Sequence, residues 1–133
     1  MLHHHITGPP DAPRLILGPS LGTSAALWEP QLPFLTRGFR VLRFDLPGHG
    51  GCRTSLLRDP GPGRTTMDDL ASLVLSVADH QGWNRFHCAG ISLGGAIGAH
   101  LAAFGPNGSR HWPWSAPPRT SAPRGPGMSA RPL

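Results

Sequence analysis

The 133 residues contain no lysine and no tyrosine, and no acidic residue follows Asp79. The first two absences suit a gene rich in G and C, and the third limits the chemistry available after that point. Cysteine is scarce as well: Cys52 and Cys88 are too few and too differently placed for a disulfide framework, which points to a reducing compartment. No apolar stretch is long enough to cross a bilayer, and "MLHHHITGPPDAPRLIL" lacks a charged lead before a long apolar run. The chain therefore reads as cytoplasmic, with no membrane partner.

Glycine and proline are abundant, at 18 and 16 residues, against an apolar fraction of 38%. One domain is the ceiling at this length, and only about two thirds of the unfolded surface could be buried. Part of the chain is expected to stay unfolded. The excess of 12 basic over 7 acidic residues raises nucleic acid as a partner. However, Arg110, Arg119, Arg124 and Arg131 all follow Phe104 with no acid among them, which leaves the part before nearly neutral. Residues 1–104 read as the folded unit and 105–133 as a Pro/Arg/Ser-rich disordered tail, with no nucleic-acid partner expected.

Within the first 104 residues, strand and helix signals alternate. The triple His3-His4-His5 is short for a metal tract and alternates into Ile6 as a strand does, so no metal site is expected. "RLILGPS" is a buried strand, Leu15 to Leu17, stopped by Gly18-Pro19. Ser24 caps a short helix with Leu27, Trp28, Gln31, Leu32 and Leu35 along one side. "FRVLRFDLPGHG" gives a second strand, Phe39 to Phe44, with Asp45 at its end. In "TTMDDLASLVLSVADHQG", Thr66 offers a cap, Asp68 and Asp69 suit the first turn, and Leu70, Leu73, Val74 and Val77 recur at helical spacing until Gly82. "RFHCAG" is a third strand and "LGGAIGAHLAAF" a small-residue helix directly after it. The order calls for an α/β fold, a mostly parallel sheet with helices on both faces.

The junction of the third strand with the last helix reads Gly90-Ile91-Ser92-Leu93-Gly94. Gly-x-Ser-x-Gly between a strand and a helix is a nucleophile elbow, a turn so sharp that the serine is strained and its hydroxyl stands above the sheet. Gly90 and Gly94 are small because a Cβ at either place would collide with the turn. The same pentapeptide is common in ordinary loops, and the flanking strand and helix are what favour catalysis here. Attack by Ser92 on an ester or lactone carbonyl needs two donors for the developing oxyanion. The backbone N–H groups of Leu93 and of Leu21, in the turn "GPSLGTS", are the candidates.

"LILGPSLGTSAALWEPQLPFL", "FRVLRFDLPGHGG" and "DDLASLVLSVADHQGWNRFHCAGISLGGAIGAHLAA" together resemble the first half of an α/β-hydrolase. The similarity is greatest to the 3-oxoadipate enol-lactone hydrolases of the β-ketoadipate pathway, and it runs from about Leu2 to Phe104. It implies hydrolysis of a small lactone or carboxylic ester in aromatic catabolism, without a cofactor. "SLGTS" favours the enol-lactonase branch over esterases that carry His-Gly there. Gly48, His49 and Gly50 match the family's structural turn, so His49 is expected to be structural rather than catalytic. Cys52 departs from the serine that relatives usually carry. Epoxide hydrolases and haloalkane dehalogenases share the fold but use Asp at the elbow, and Ser92 counts against them.

A larger departure follows the elbow. In this fold the order along the chain is Ser, then Asp or Glu, then His, yet Asp11, Glu29, Asp45, Asp59, Asp68, Asp69 and Asp79 all precede Ser92. His100 and His111 match no triad position, so the triad acid and histidine are absent. Without a base, several orders of magnitude in rate are expected to be lost. The tail suggests why. A single lost G turns Pro-Glu-Arg-Val codons into those of Pro-Asn-Gly-Ser, and the frame shifted from Asn107 onward can be read as a strand followed by a helix-like segment. A frameshifted or truncated hydrolase is the expectation, leaving an open sheet edge and poor solubility. The alternatives are a general esterase, and a non-enzymatic fragment whose arginine-rich tail, with Trp112 and Trp114, grips a polyanion. The oligomeric state is left open.

Overall fold

The computed structural model describes residues 1–105. The disordered tail and the shifted frame expected for 105–133 thus lie, but for Gly105, outside the described residues. Four strands form one sheet: β1 (His4–Thr7), β2 (Arg14–Gly18), β3 (Arg40–Phe44) and β4 (His87–Gly90). Their order is β1-β3-β2-β4, with β2 parallel to both neighbours and β1 antiparallel to β3. Helices α1 (Leu32–Leu35), α2 (Met67–His80) and α3 (Leu93–Phe104) intervene. The mostly parallel sheet agrees with the pattern expected from the sequence.

Strand alternation sorts the core into two layers. Leu15, Leu17 and Val41 face one way and pack with Trp28, Leu32, Leu35 and Phe39. Ile16, Leu42 and Phe44 face the other way, onto Ala71, Val74, Val77 and Ala78 of α2 and Ile97 and Leu101 of α3. Burial on both faces is why Leu15-Ile16-Leu17 of β2 and Val41-Leu42 of β3 are apolar at successive positions. Each such side chain contributes about 1.5–3 kcal/mol on removal from water.

The helix expected after Ser24 is a 3₁₀ segment, Ala25–Gln31, that runs into the one-turn α1. Pro30 and Pro33 explain the difference, since each removes an amide donor that a longer α-helix needs. The Ser24 hydroxyl nevertheless caps it, accepting from Ala26 N–H. Helix α2 begins with a capping box, in which Thr66 Oγ1 accepts Asp69 N–H and the Asp69 carboxylate accepts Thr66 N–H. The Thr66 hydroxyl and N–H hold the Asp69 carboxyl below the usual range. At its other end Gly82 takes φ +67°, with Trp83 N–H on Ala78 O and Gly82 N–H on Asp79 O, a Schellman ending.

The connections locate the site. From β2 the chain crosses to β3 on one side, then returns past β2 to β4 on the other. Right-handed crossovers therefore put α1 and α2 on opposite faces. The direction of winding reverses between β2 and β4, and a crevice opens at the carboxyl ends of strands at such a point. Beyond it, β4 pairs only with β2 among the described residues.

Candidate active site

β2 and β4 end in register, Gly18 opposite Gly90, so the loops that follow them start about one strand spacing apart, ~4.8 Å. Those loops carry Leu21 and Ser92. Ile91 N–H donates to Gly18 O at 3.2 Å and Gly94 N–H to Pro19 O at 3.1 Å, which ties the loops together. The approach is close because no Cβ intervenes. A methyl on Gly18 would sit 2.7 Å from Gly94 Cα, and one on Gly90 would overlap the Gly94–Gly95 peptide.

Ser92 takes φ 52°, ψ −117°, the only non-glycine with positive φ among the described residues. A serine is held there only when its surroundings over-determine it, at a cost of about 1–3 kcal/mol. The strand β4, the two loop hydrogen bonds and the start of α3 supply that constraint. Ser92 is exposed, and its hydroxyl has no hydrogen-bond partner among the described residues. The next amide, Leu93 N–H, opens α3 and meets no acceptor there, and neither does Leu21 N–H. An exposed hydroxyl next to the unbonded Leu93 N–H at a helix N-terminus suits an acceptor that gains negative charge.

Two histidine–carboxylate pairs occur among the described residues, and neither serves Ser92. His100 Nε2 lies 2.7 Å from Asp68 Oδ1, joining α3 to α2. It is eight residues beyond Ser92, about 12 Å along the helix. His3 Nδ1 donates to Asp45 Oδ2 at 2.7 Å on the far side of β2, and β3 is about 10 Å from β4. His111 lies outside the described residues.

Asp45, directly after β3, carries no motif that marks it in the sequence. Its carboxylate is buried and also accepts Ala25 N–H at 2.6 Å and Gly51 N–H at 2.9 Å. Burial alone would push this carboxyl up, but the two amides and His3 outweigh it and hold it below the usual range. It therefore pins the turn after β3 to the start of the 3₁₀ segment. In that turn His49 Nε2 accepts Gly22 N–H at 2.9 Å. No group of three or more potential metal ligands occurs among the described residues, and no helix there is long and apolar enough to cross a membrane.

Comparison with known proteins accords with this geometry. A protein named carbamate hydrolase RutD from Stutzerimonas stutzeri is 36% identical over 107 residues, covering 79% of this chain and 38% of the relative. The 3-oxoadipate enol-lactonase 1 of Acinetobacter baylyi is 32% identical over 99 residues, 74% of this chain and 35% of that one. The crystal structure of the enol-lactonase from Burkholderia xenovorans superimposes with a TM-score of 0.70 at 37% identity, covering 77% of this chain and 38% of that chain. The chain thus spans well under half the length of these relatives. The profile of the α/β hydrolase fold family matches residues 13–108, and the chain belongs to that family.

Proposed function

We propose that Ser92 is the nucleophile of a hydrolase acting on a small enol-lactone or carboxylic ester. Its oxygen adds to the carbonyl carbon, the carbonyl oxygen takes up the negative charge between Leu93 N–H and Leu21 N–H, and the ring or alkoxy oxygen departs with a proton. Water then attacks the acyl-serine and releases the acid. The observation that carries this reading is the strained Ser92 backbone, which aims an unbonded hydroxyl beside an unbonded amide. No cofactor enters these steps. The partner is a small molecule in the cytoplasm, and the enol-lactonase relatives favour a lactone of aromatic catabolism.

Among the described residues, no group is placed to take the serine proton. No acid follows Asp79, and the two histidine–carboxylate pairs described above are engaged elsewhere. We therefore propose that the chain holds the geometry of the nucleophile without its activation, through a frameshift after Phe104. Sequencing the DNA across codons 104 to 110 tests this, and a shifted frame with no continuing hydrolase reading would defeat it. A second reading, carbamate hydrolysis, is favoured by relatives named carbamate hydrolase RutD at 36% and 37% identity.

Assays of the chain as written and of its frame-restored form separate these readings, with 3-oxoadipate enol-lactone, p-nitrophenyl acetate and a simple carbamate as substrates. Opening of the lactone by the restored form alone is the expected outcome. Carbamate turnover without lactone opening supports the second reading. Ester turnover alone makes this a general esterase, and no turnover by the restored form refutes all three.

A further inference from the structure

The loop that presents Leu21 N–H is tied at three points. Pro19 O accepts Gly94 N–H at 3.1 Å from the elbow. Ser20 O accepts the Thr23 N–H at 3.2 Å and the Thr23 hydroxyl at 2.7 Å, closing the turn on itself. The third tie runs to the turn after β3, where Gly22 N–H donates to His49 Nε2 at 2.9 Å.

The other ring nitrogen, Nδ1, lies 3.1 Å from Pro47 O. A carbonyl oxygen only accepts and a backbone N–H only donates, so both bonds are met by one form of the ring, neutral with its proton on Nδ1. The backbone beneath the ring is fixed as well. His49 N–H donates to Leu46 O and Cys52 N–H to His49 O, each at 2.9 Å, while Gly48 and Gly50 take φ +81° and +50°. The ring is thus a rigid acceptor facing a loop of small residues.

We infer that His49 is a positioning residue: as the neutral Nδ1–H tautomer it holds the loop that carries Leu21 N–H, and on protonation it releases that loop. A proton on Nε2 sets two donors face to face, and the Gly22 bond is lost. The importance of this for catalysis rests on the reading of Leu21 N–H as an oxyanion donor. The titratable groups bonded into the same turn are Asp45, which takes Gly51 N–H, and His3, which donates to Asp45; neither bonds the His49 ring. From 19 to 24 the loop is Pro, Ser, Leu, Gly, Thr and Ser, and from 91 to 95 the elbow is Ile, Ser, Leu, Gly and Gly, so neither adds a charge.

NMR of the isotope-labelled full chain tests the inference without substrate. Long-range proton–nitrogen correlations are expected to show His49 protonated on Nδ1. As pH falls, the Leu21 and Gly22 amide signals are expected to move with the same midpoint as the His49 ring Cε1 proton. Both readouts need no variant. In His49→Phe, Gly22 amide exchange is expected to be faster by about tenfold, the scale of one net hydrogen bond, and the pH response to vanish. His49→Gln, whose side-chain oxygen can accept from Gly22, is expected to keep the protection and lose the pH response. An Nε2–H ring, unchanged Gly22 exchange in His49→Phe, or a pH response that survives there would overturn the inference. Failure of Ser92 in the frame-restored protein to react with a serine probe would instead remove the proposed function and leave the tether standing.

Discussion

Gly94→Ala puts the contact between the two loops under direct stress. The added methyl would land on the carbonyl group of Gly18 and 2.7 Å from its Cα. These are backbone atoms at the end of β2, which is paired on both sides, so no side chain can swing away. Two effects compete. Alanine is favoured over glycine within a helix by about 1 kcal/mol. Overpacking against unyielding atoms costs about 1–3 kcal/mol, and moving α3 away also strains the Gly94 N–H to Pro19 O bond, worth about 1 kcal/mol. The clash prevails, with a net loss of about 1–3 kcal/mol. For a unit of this size that lowers Tm by roughly 10 °C. The assay is thermal unfolding followed by circular dichroism at low concentration, beside Gly38→Ala as a control. A methyl on Gly38 meets nothing within 4 Å, so that variant is expected to stay within about 0.5 kcal/mol of the parent. A Gly94→Ala chain as stable as the parent would refute the close backbone approach.

Three further outcomes follow from single groups. Because the Asp45 carboxyl is held below its ordinary 3.8, its contribution to stability is present above that value and is lost as pH falls through the lower folded value. Asp45→Asn sets an amide donor against N–H donors, which should cost about 2–3 kcal/mol and flatten this acid limb in urea titrations; an unchanged limb would contradict the assignment. Burial pushes the Cys88 thiol up to about 12, so iodoacetamide at pH 8 is expected to modify it only after unfolding. Rapid alkylation of Cys88 in the native chain would contradict the raised thiol. The outer edge of β4 is unpaired among the described residues, and concentration-dependent association in analytical ultracentrifugation is expected. A monodisperse monomer with a sharp, reversible transition would oppose that.

The strands and the elbow were legible because their signals are local. "RLILG" holds a short apolar run and "RVLRF" three apolar residues interspersed with arginines, each stopped by turn residues, and Gly90-Ile91-Ser92-Leu93-Gly94 announces its turn by the glycines that the close backbone approach requires. Thr66 and Gly82 likewise carried both ends of α2. After Ser24 the apolar spacing of Leu27, Trp28, Leu32 and Leu35 suits a longer helix than the one that forms, because Pro30 and Pro33 shorten it. What the sequence could not display were contacts across the sheet. Asp45 gathers Ala25, Gly51 and His3 from three separate segments, and His49 reaches Gly22 across 27 positions. The Asp68–His100 pair likewise depends on α2 and α3 lying side by side. Periodicity reports which face of an element is buried, but it carries no information about which polar group will stand opposite.

Ser92 is proposed to hold the geometry of a nucleophile without its activation. A fluorophosphonate probe, which needs an activated serine, tests both halves when its adducts are located by mass spectrometry. Labelling of Ser92 in the frame-restored protein, abolished by Ser92→Ala, with the chain as written left essentially unlabelled, is the predicted result. Equal labelling of both forms at Ser92 would reveal a base elsewhere, such as one from a second subunit, and absence of labelling in the restored form would contradict the assignment of Ser92 itself.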